Sequence, residues 1–273
     1  MWKLIKMDFY RLFTSKAIKL GAIVAGVVCS AYMLFSLGVV ELSKYAAETD
    51  PEALEGLDFF LSSASWINGV NFSDIVLAGT SAFSLFIGCM IAASFIGSEQ
   101  SSKYTKNFAG LLPDKGYMAV SKFVVTSAAQ FMVLVIYTAV SCVFAMLLFG
   151  QYINGYDLPT LVAGLCLRLV LHLAINAVII FICTLTKSHA VAMVFGCIFG
   201  IGVTRLAYYA INALLGMMKI NIVIGNYMPD GINSELTLNT VSGIAVRAIV
   251  VSIVFIVIFV GANYAVLRKR DVK

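Results

Sequence analysis

The 273-residue chain is 61% hydrophobic and only 12% charged, with a formal net charge of +5. A soluble domain carries about 25% charged residues, so half the usual charge is missing, and a mean hydropathy of +0.95 leaves more apolar surface than a soluble core hides. These figures exclude a soluble globular enzyme, give no reason to expect a nucleic-acid partner, and put the chain in a membrane.

In chain order, residues 1–16 read as an amphipathic interfacial helix. Trp2, Ile5, Phe9 and Leu12 recur at helical spacing on one face, with Lys3, Lys6 and Arg11 elsewhere to meet anionic headgroups. A plain basic flank that fixes topology is the alternative; a cleavable signal peptide is not expected, because the basic section is too long. The first apolar run, 17–40, is long enough to span. The outer segment 41–74 is acidic and then carries Leu57, Phe59, Phe60, Leu61 and Trp66, which suit a short helix lying on the membrane. A second apolar run, 75–97, leads into the polar loop 98–122, SEQSSKYTKNFAGLLPDKGYMAVSK, broken by Gly110 and Pro113. A plain connection needs only a handful of residues. A short helix and turn here would present Glu99, Lys103, Tyr104 and Phe108 to a cytosolic partner; the alternative is a solvated loop. Runs 123–149 and 158–185 follow, then a tight turn at Lys187 and a fifth run, 190–215. Segment 217–242 either dips back into the bilayer or runs as an ordinary outer loop, and 243–267 is the sixth run. The expected fold is an all-α polytopic membrane protein of six transmembrane helices in a single transmembrane domain, 1–273.

Lysines and arginines set its orientation. Lys3, Lys6, Arg11, Lys16, Lys19, Lys103, Lys106, Lys115, Lys122, Arg268, Lys269, Arg270 and Lys273 fall on one side of this topology. Lys187, in the turn between spans four and five, joins them. The other side keeps only Lys44, Lys219 and Arg247 near its loops and collects Glu41, Glu48, Asp50, Glu52, Glu55, Asp58, Asp74, Asp157, Asp230 and Glu235. The positive-inside rule then places both termini in the cytoplasm. The six cysteines all lie in apolar runs without metal-ligand pairing and read as small packing residues.

Catalysis has little to work with. The chain has no metalloprotease helix signature, no nucleophile elbow and no phosphate loop, and its only histidines are His172 and His189. No metal site is expected. Arg168, His172 and Asn176 are spaced four apart and share one face of the fourth run, and Arg205 lies in the fifth. A polar lining for a substrate path or subunit interface is one reading of these four residues. Snorkelling and helix-to-helix hydrogen bonding is the other. If the fifth run breaks after about 16 residues, Arg205 caps its outer end.

The order of these features resembles the ABC-2 family of ATP-binding-cassette permeases. The run Asp8-Phe9-Tyr10-Arg11 before the first span is similar to the family's amphipathic entry helix. The loop after span two resembles its pattern of a glutamate just inside the membrane (Glu99), a proline turn (Pro113) and a lysine where the next span starts (Lys122). Tyr264, Arg268, Lys269, Arg270 and Asp271 resemble its closing aromatic residue, basic cluster and aspartate. Where an arginine often follows the loop proline, this chain has Lys115.

The resemblance implies a permease subunit in the plasma membrane of a bacterial cell, paired with a second permease chain as homodimer or heterodimer and surrounded by membrane lipid. It implies separate cytoplasmic ATPase subunits that bind the ATP and Mg, so that this chain needs no cofactor of its own. Segment 99–108 would be the coupling helix, with Glu99, Lys103, Tyr104, Phe108 and Pro113 at the ATPase contact, and the segment between spans five and six would form short re-entrant helices. Compact members of the family are similar to subunits that export, or give immunity to, antimicrobial and amphipathic peptides. A stand-alone secondary transporter or channel, which would call for acids inside the spans, and a non-transporting scaffold are the competing readings.

Overall fold

The computed structural model describes residues 2–49, 69–80, 82–101, 114–220 and 222–269. Within them the chain is an all-α membrane protein. Five stretches are long and apolar enough to cross a bilayer, Lys16–Tyr45, Phe72–Glu99, Tyr117–Tyr152, Leu158–Thr186 and Val241–Lys269. A sixth results if the bent pair His189–Ile201 and Thr204–Met217 counts as one span.

Ten helices make up the described chain: α1 (Trp2–Thr14), α2 (Lys16–Thr49), α3 (Phe72–Gly79), α4 (Ala82–Ser101), α5 (Tyr117–Phe149), α6 (Leu158–Thr186), α7 (His189–Ile201), α8 (Thr204–Met217), α9 (Pro229–Glu235) and α10 (Val241–Lys269). Their ends follow local chemistry. Asp157 N-caps α6, its side chain accepting the Thr160 N–H, and Pro159 sits in the first turn where its missing N–H costs nothing. Lys187 ends α6 in the left-handed conformation and Ser188 caps α7 at once, giving the tight turn expected there.

Two of the expected runs differ from single straight helices. The second divides at Thr80, where α3 ends before α4 begins. The fifth breaks after 13 residues at Gly202, whose φ of +81° favours glycine, and α8 leaves at 68° to α7. Arg205 therefore lies beyond the break, in the first turn of α8. Helix α2 also runs nine residues past the expected edge of span one. Polar residues at this end keep helical spacing, Lys44 lying 3.4 Å from Glu41.

Helix α4 stands at the centre, against α2, α5, α6 and α7, and α10 packs along α6 and α5. Two apolar layers fill the interior. Leu12, Ala25, Phe95, Ile96, Val125 and Ile179 belong to one, and Met33, Val40, Ile75, Phe149, Leu171 and Ile232 to the other. In lipid such layers hold by close packing rather than by escape from water. Leu4 of α1, Met118 and Ala119 of α5 and Leu267 of α10 form a third small cluster, so the first helix and the last turn of α10 meet at one end. Helix α5 runs from there to Phe149 and a 3-10 turn continues it to Tyr152, which donates to Glu41 at 2.7 Å, beside a short parallel pairing of Val70–Asn71 (β1) with Ile153–Gly155 (β2). The described spans thus have distinct ends, one gathering α1, the start of α5 and the end of α10.

Helix α1 is turned differently from the sequence expectation. Leu4, Ile5, Asp8 and Leu12 are buried within the protein. Its outward face carries Trp2, Tyr10 and Phe13 among Lys3 and Lys6. Packing on α5 and α10 takes the face with Leu4, Ile5 and Leu12 and leaves the lysines outside.

Candidate functional site

Two clusters of buried polar groups lie at different depths. The first stands where α1, α4 and α5 meet. Glu99, 3% exposed, ends the apolar part of α4. Arg11 Nη2 lies 3.3 Å and Lys122 Nζ 3.4 Å from the same oxygen, Glu99 Oε2. Asp8 accepts a 2.6 Å hydrogen bond from Ser121 Oγ and lies 3.9 Å from Arg11. The Arg11 guanidinium also covers the Phe95 ring at 4.4 Å. Two carboxylates and two cations alternate here, which is how charges are tolerated away from water. Burial lifts the Asp8 carboxyl above its ordinary value; the Ser121 hydrogen bond opposes that, Glu99 adds to it, and Arg11 and Lys122 oppose it. Close by, Tyr264 of α10 donates to Asp114, which also accepts the Gly116 N–H at 2.8 Å. These two bonds hold the Asp114 carboxyl below its ordinary value, the tyrosine being the larger cause.

The second cluster lies along α6. His172 stands 14 residues from Leu158 and 14 from Thr186, about 21 Å from either end at 1.5 Å per residue. It marks the middle of helix α6. Gln130 Nε2 lies 2.9 Å from His172 Nδ1 and donates to Ser84 O at 3.3 Å, so α4, α5 and α6 are joined there. One turn further in, Asn176 donates to Thr126 Oγ1 at 3.0 Å. Gly88 makes the approach to α5 possible: a Cβ there would fall 1.4 Å from Gln130 Oε1.

Arg168, 1% exposed, has no acid beside it among the described residues. It donates to Leu77 O, to Thr80 Oγ1 at 2.6 Å and to Leu236 O at 3.2 Å. Leu77 and Thr80 close α3, and Leu236 is the C-cap of α9. Helix C-termini carry unpaired carbonyls and the negative end of the peptide dipoles. The carbonyl ends of two short helices therefore take the place of a counter-ion. Several polar atoms in this layer find no hydrogen-bond partner among the described residues: Arg168 Nε, His172 Nε2, Gln130 Oε1, Asn176 Oδ1 and, on α9, Asn233 Oδ1.

Arg168, His172 and Asn176 thus share one buried face, as their spacing predicts, while Arg205 is exposed on α8 and takes no part in it. Glu99 faces inward to Arg11 and Lys122 rather than away from the protein. Lys103, Tyr104, Phe108 and Pro113 lie outside the described residues. Sequence reasoning missed Gln130 and Thr126 as partners, and Asp230, which accepts from Thr204 and from Tyr208 at 2.7 Å and so ties α8 to α9. Lone polar residues in apolar runs were the available signal for Gln130 and Thr126. Among the described residues no three His, Cys, Asp or Glu side chains converge as metal ligands would.

Compared with the known protein families and with curated proteins, the sequence finds no match.

Proposed function

We propose that this chain is the membrane-spanning permease subunit of an ATP-driven exporter of the ABC-2 kind, set in a bacterial plasma membrane with both ends in the cytoplasm. It pairs with a second permease chain and is driven by separate ATPase subunits that bind ATP and Mg; amphipathic or antimicrobial peptides are the proposed cargo. The charge cluster of Asp8, Arg11, Glu99 and Lys122 is the observation that carries the proposal. Glu99 and Lys122 stand at the two roots of loop 98–122 and are bound to one another and to α1. A force applied to that loop passes directly into α1, α4 and α5, which is what a coupling loop requires. The packing of α1 against the end of α10 supports cytoplasmic placement of both ends, since Lys3, Lys6, Lys122, Arg268 and Lys269 then share one side. ATP binding by the partner would shift the permease by favouring one of its conformations.

The test is affinity purification of the tagged chain in mild detergent. A stoichiometric ATPase is expected, lost when Lys103, Tyr104 and Phe108 are replaced together by alanine. Recovery of the chain alone under every nucleotide condition would favour a stand-alone secondary transporter or channel.

A further inference from the structure

A groove of about 630 Å³ runs between the first half of α6 and the start of α10. Its volume is that of sites for small organic molecules, roughly 300–1,000 Å³. The lining is divided. Asp157, Thr160, Asn239 and Ser242 lie at one end, and Ala163, Val170, Ala245 and Ile249 form walls further along.

Helix geometry gives the depth of each part. With the bilayer centred on His172, about 30 Å of hydrocarbon reaches some 10 residues along α6 in each direction, to about 162 and 182. Asp157 lies 15 residues from His172, so its carboxylate stands about 22 Å from the midplane, in the headgroup layer. Ala163 and Val170 stand within hydrocarbon. The change from polar to apolar lining therefore coincides with the boundary between water and lipid.

Charge selects the occupant further. Among the described residues that line the groove there is one carboxylate, Asp157, and no lysine or arginine. Arg247 of α10 is 3.3 Å from Glu235. A phosphate or sulfate at this mouth meets a like charge, whereas an ammonium meets an opposite one.

We infer that this groove binds a cationic amphiphile, with its positive head against Asp157 and its apolar tail along α6 and α10. As a cargo site it rests on the exporter reading; as a binding site it does not. The test uses the full chain in lipid nanodiscs, without any ATPase. The probe is a dodecylammonium carrying a photoreactive diazirine in its tail, compared with the same tail on a sulfate head. Adducts mapped by mass spectrometry are expected at 163–170 and 245–249 for the cationic probe, competed away by dodecyltrimethylammonium and at least several-fold weaker for the sulfate. Asp157→Asn keeps an N-cap acceptor for Thr160 while removing the charge, and should lower cationic labelling about fivefold, the size of one charge contact near a membrane surface. Ala245→Phe, which fills the groove, should abolish the adducts. Equal labelling by both heads, or cationic labelling indifferent to Asp157→Asn, would overturn the proposal and leave the groove to ordinary lipid tails. Either result stands whether or not an ATPase co-purifies with the chain.

Discussion

Replacing Glu99 by glutamine removes one negative charge and keeps the shape of the side chain. Two cations then lose their shared partner. Arg11 is the less affected, because its side chain is 24% exposed and keeps Asp8 at 3.9 Å and the Phe95 ring at 4.4 Å. Lys122 is 5% exposed at its side chain and bears most of the loss. Breaking a buried ion pair from one side costs roughly 3–5 kcal/mol, and the partial rescue of Arg11 puts this variant near the lower figure, about 3 kcal/mol. For a chain of this size each kcal/mol moves the melting temperature by roughly 2–4 °C, so Glu99→Gln should melt about 6–12 °C below the parent in one detergent. Lys122→Met alone leaves Glu99 with Arg11, and the double variant should recover more than about 1 kcal/mol relative to the sum of the single changes, since no orphaned lysine remains. A Glu99→Gln melting temperature within about 2 °C of the parent would refute a buried pair. Glu99 would then be free to touch an ATPase directly, and the same variant would lose ATPase while keeping its stability.

Asp8 gives a pH signature. Its carboxyl is raised in the folded chain by burial, so the folded state holds its proton longer than the unfolded one, and the stability this contributes is complete below the ordinary carboxylate value and lost as pH rises through the raised one. Asp8→Asn should therefore remove an increase in melting temperature seen on acidifying from neutrality, and equal slopes in parent and variant would count against it. Gly88→Ala pushes a methyl into the fully buried Gln130 and should cost about 1–3 kcal/mol, read as a lower unfolding temperature. Asp230→Ala removes the acceptor shared by Thr204 and Tyr208. Amide exchange across 204–217 should then rise at least tenfold, hydrogen bonds to a charged group being worth about 1.5–3 kcal/mol, while exchange in α6 stays unchanged.

Much of the membrane framework was legible because apolar run length is a strong signal. The stripe on α6 was legible too, because Arg168, His172 and Asn176 keep helical spacing. What Arg168 touches was not: besides the Thr80 hydroxyl, its partners are the backbone carbonyls of Leu77 and Leu236, and every residue in a sequence carries a carbonyl. The break in the fifth run had a local mark in Gly202, but 190–215 also holds Gly196 and Gly200, and only the positive φ separates Gly202 from them. The orientation of α1 failed for a different reason. Helical spacing groups Trp2, Ile5, Phe9 and Leu12 but does not say whether lipid or the protein covers them. Trp2 stays outside with Tyr10 and Phe13 while Ile5 and Leu12 turn inward. The inward aim of Glu99 depends on Arg11, 88 positions earlier in the chain, a contact that helical spacing cannot reveal.

The support of Arg168 has a consequence for how the protein is made. Leu236 follows Arg168 by 68 positions, so at roughly 5–20 residues per second the ribosome delivers that carbonyl about 3–14 s after the arginine. During that interval α6 carries a cation whose fastening on the α9 side does not yet exist, while α3, made earlier, already offers Leu77 and Thr80. A nascent chain stopped before Leu236 should therefore hold α6 loosely, and the closing of α9 over Arg168 becomes one of the last steps of insertion.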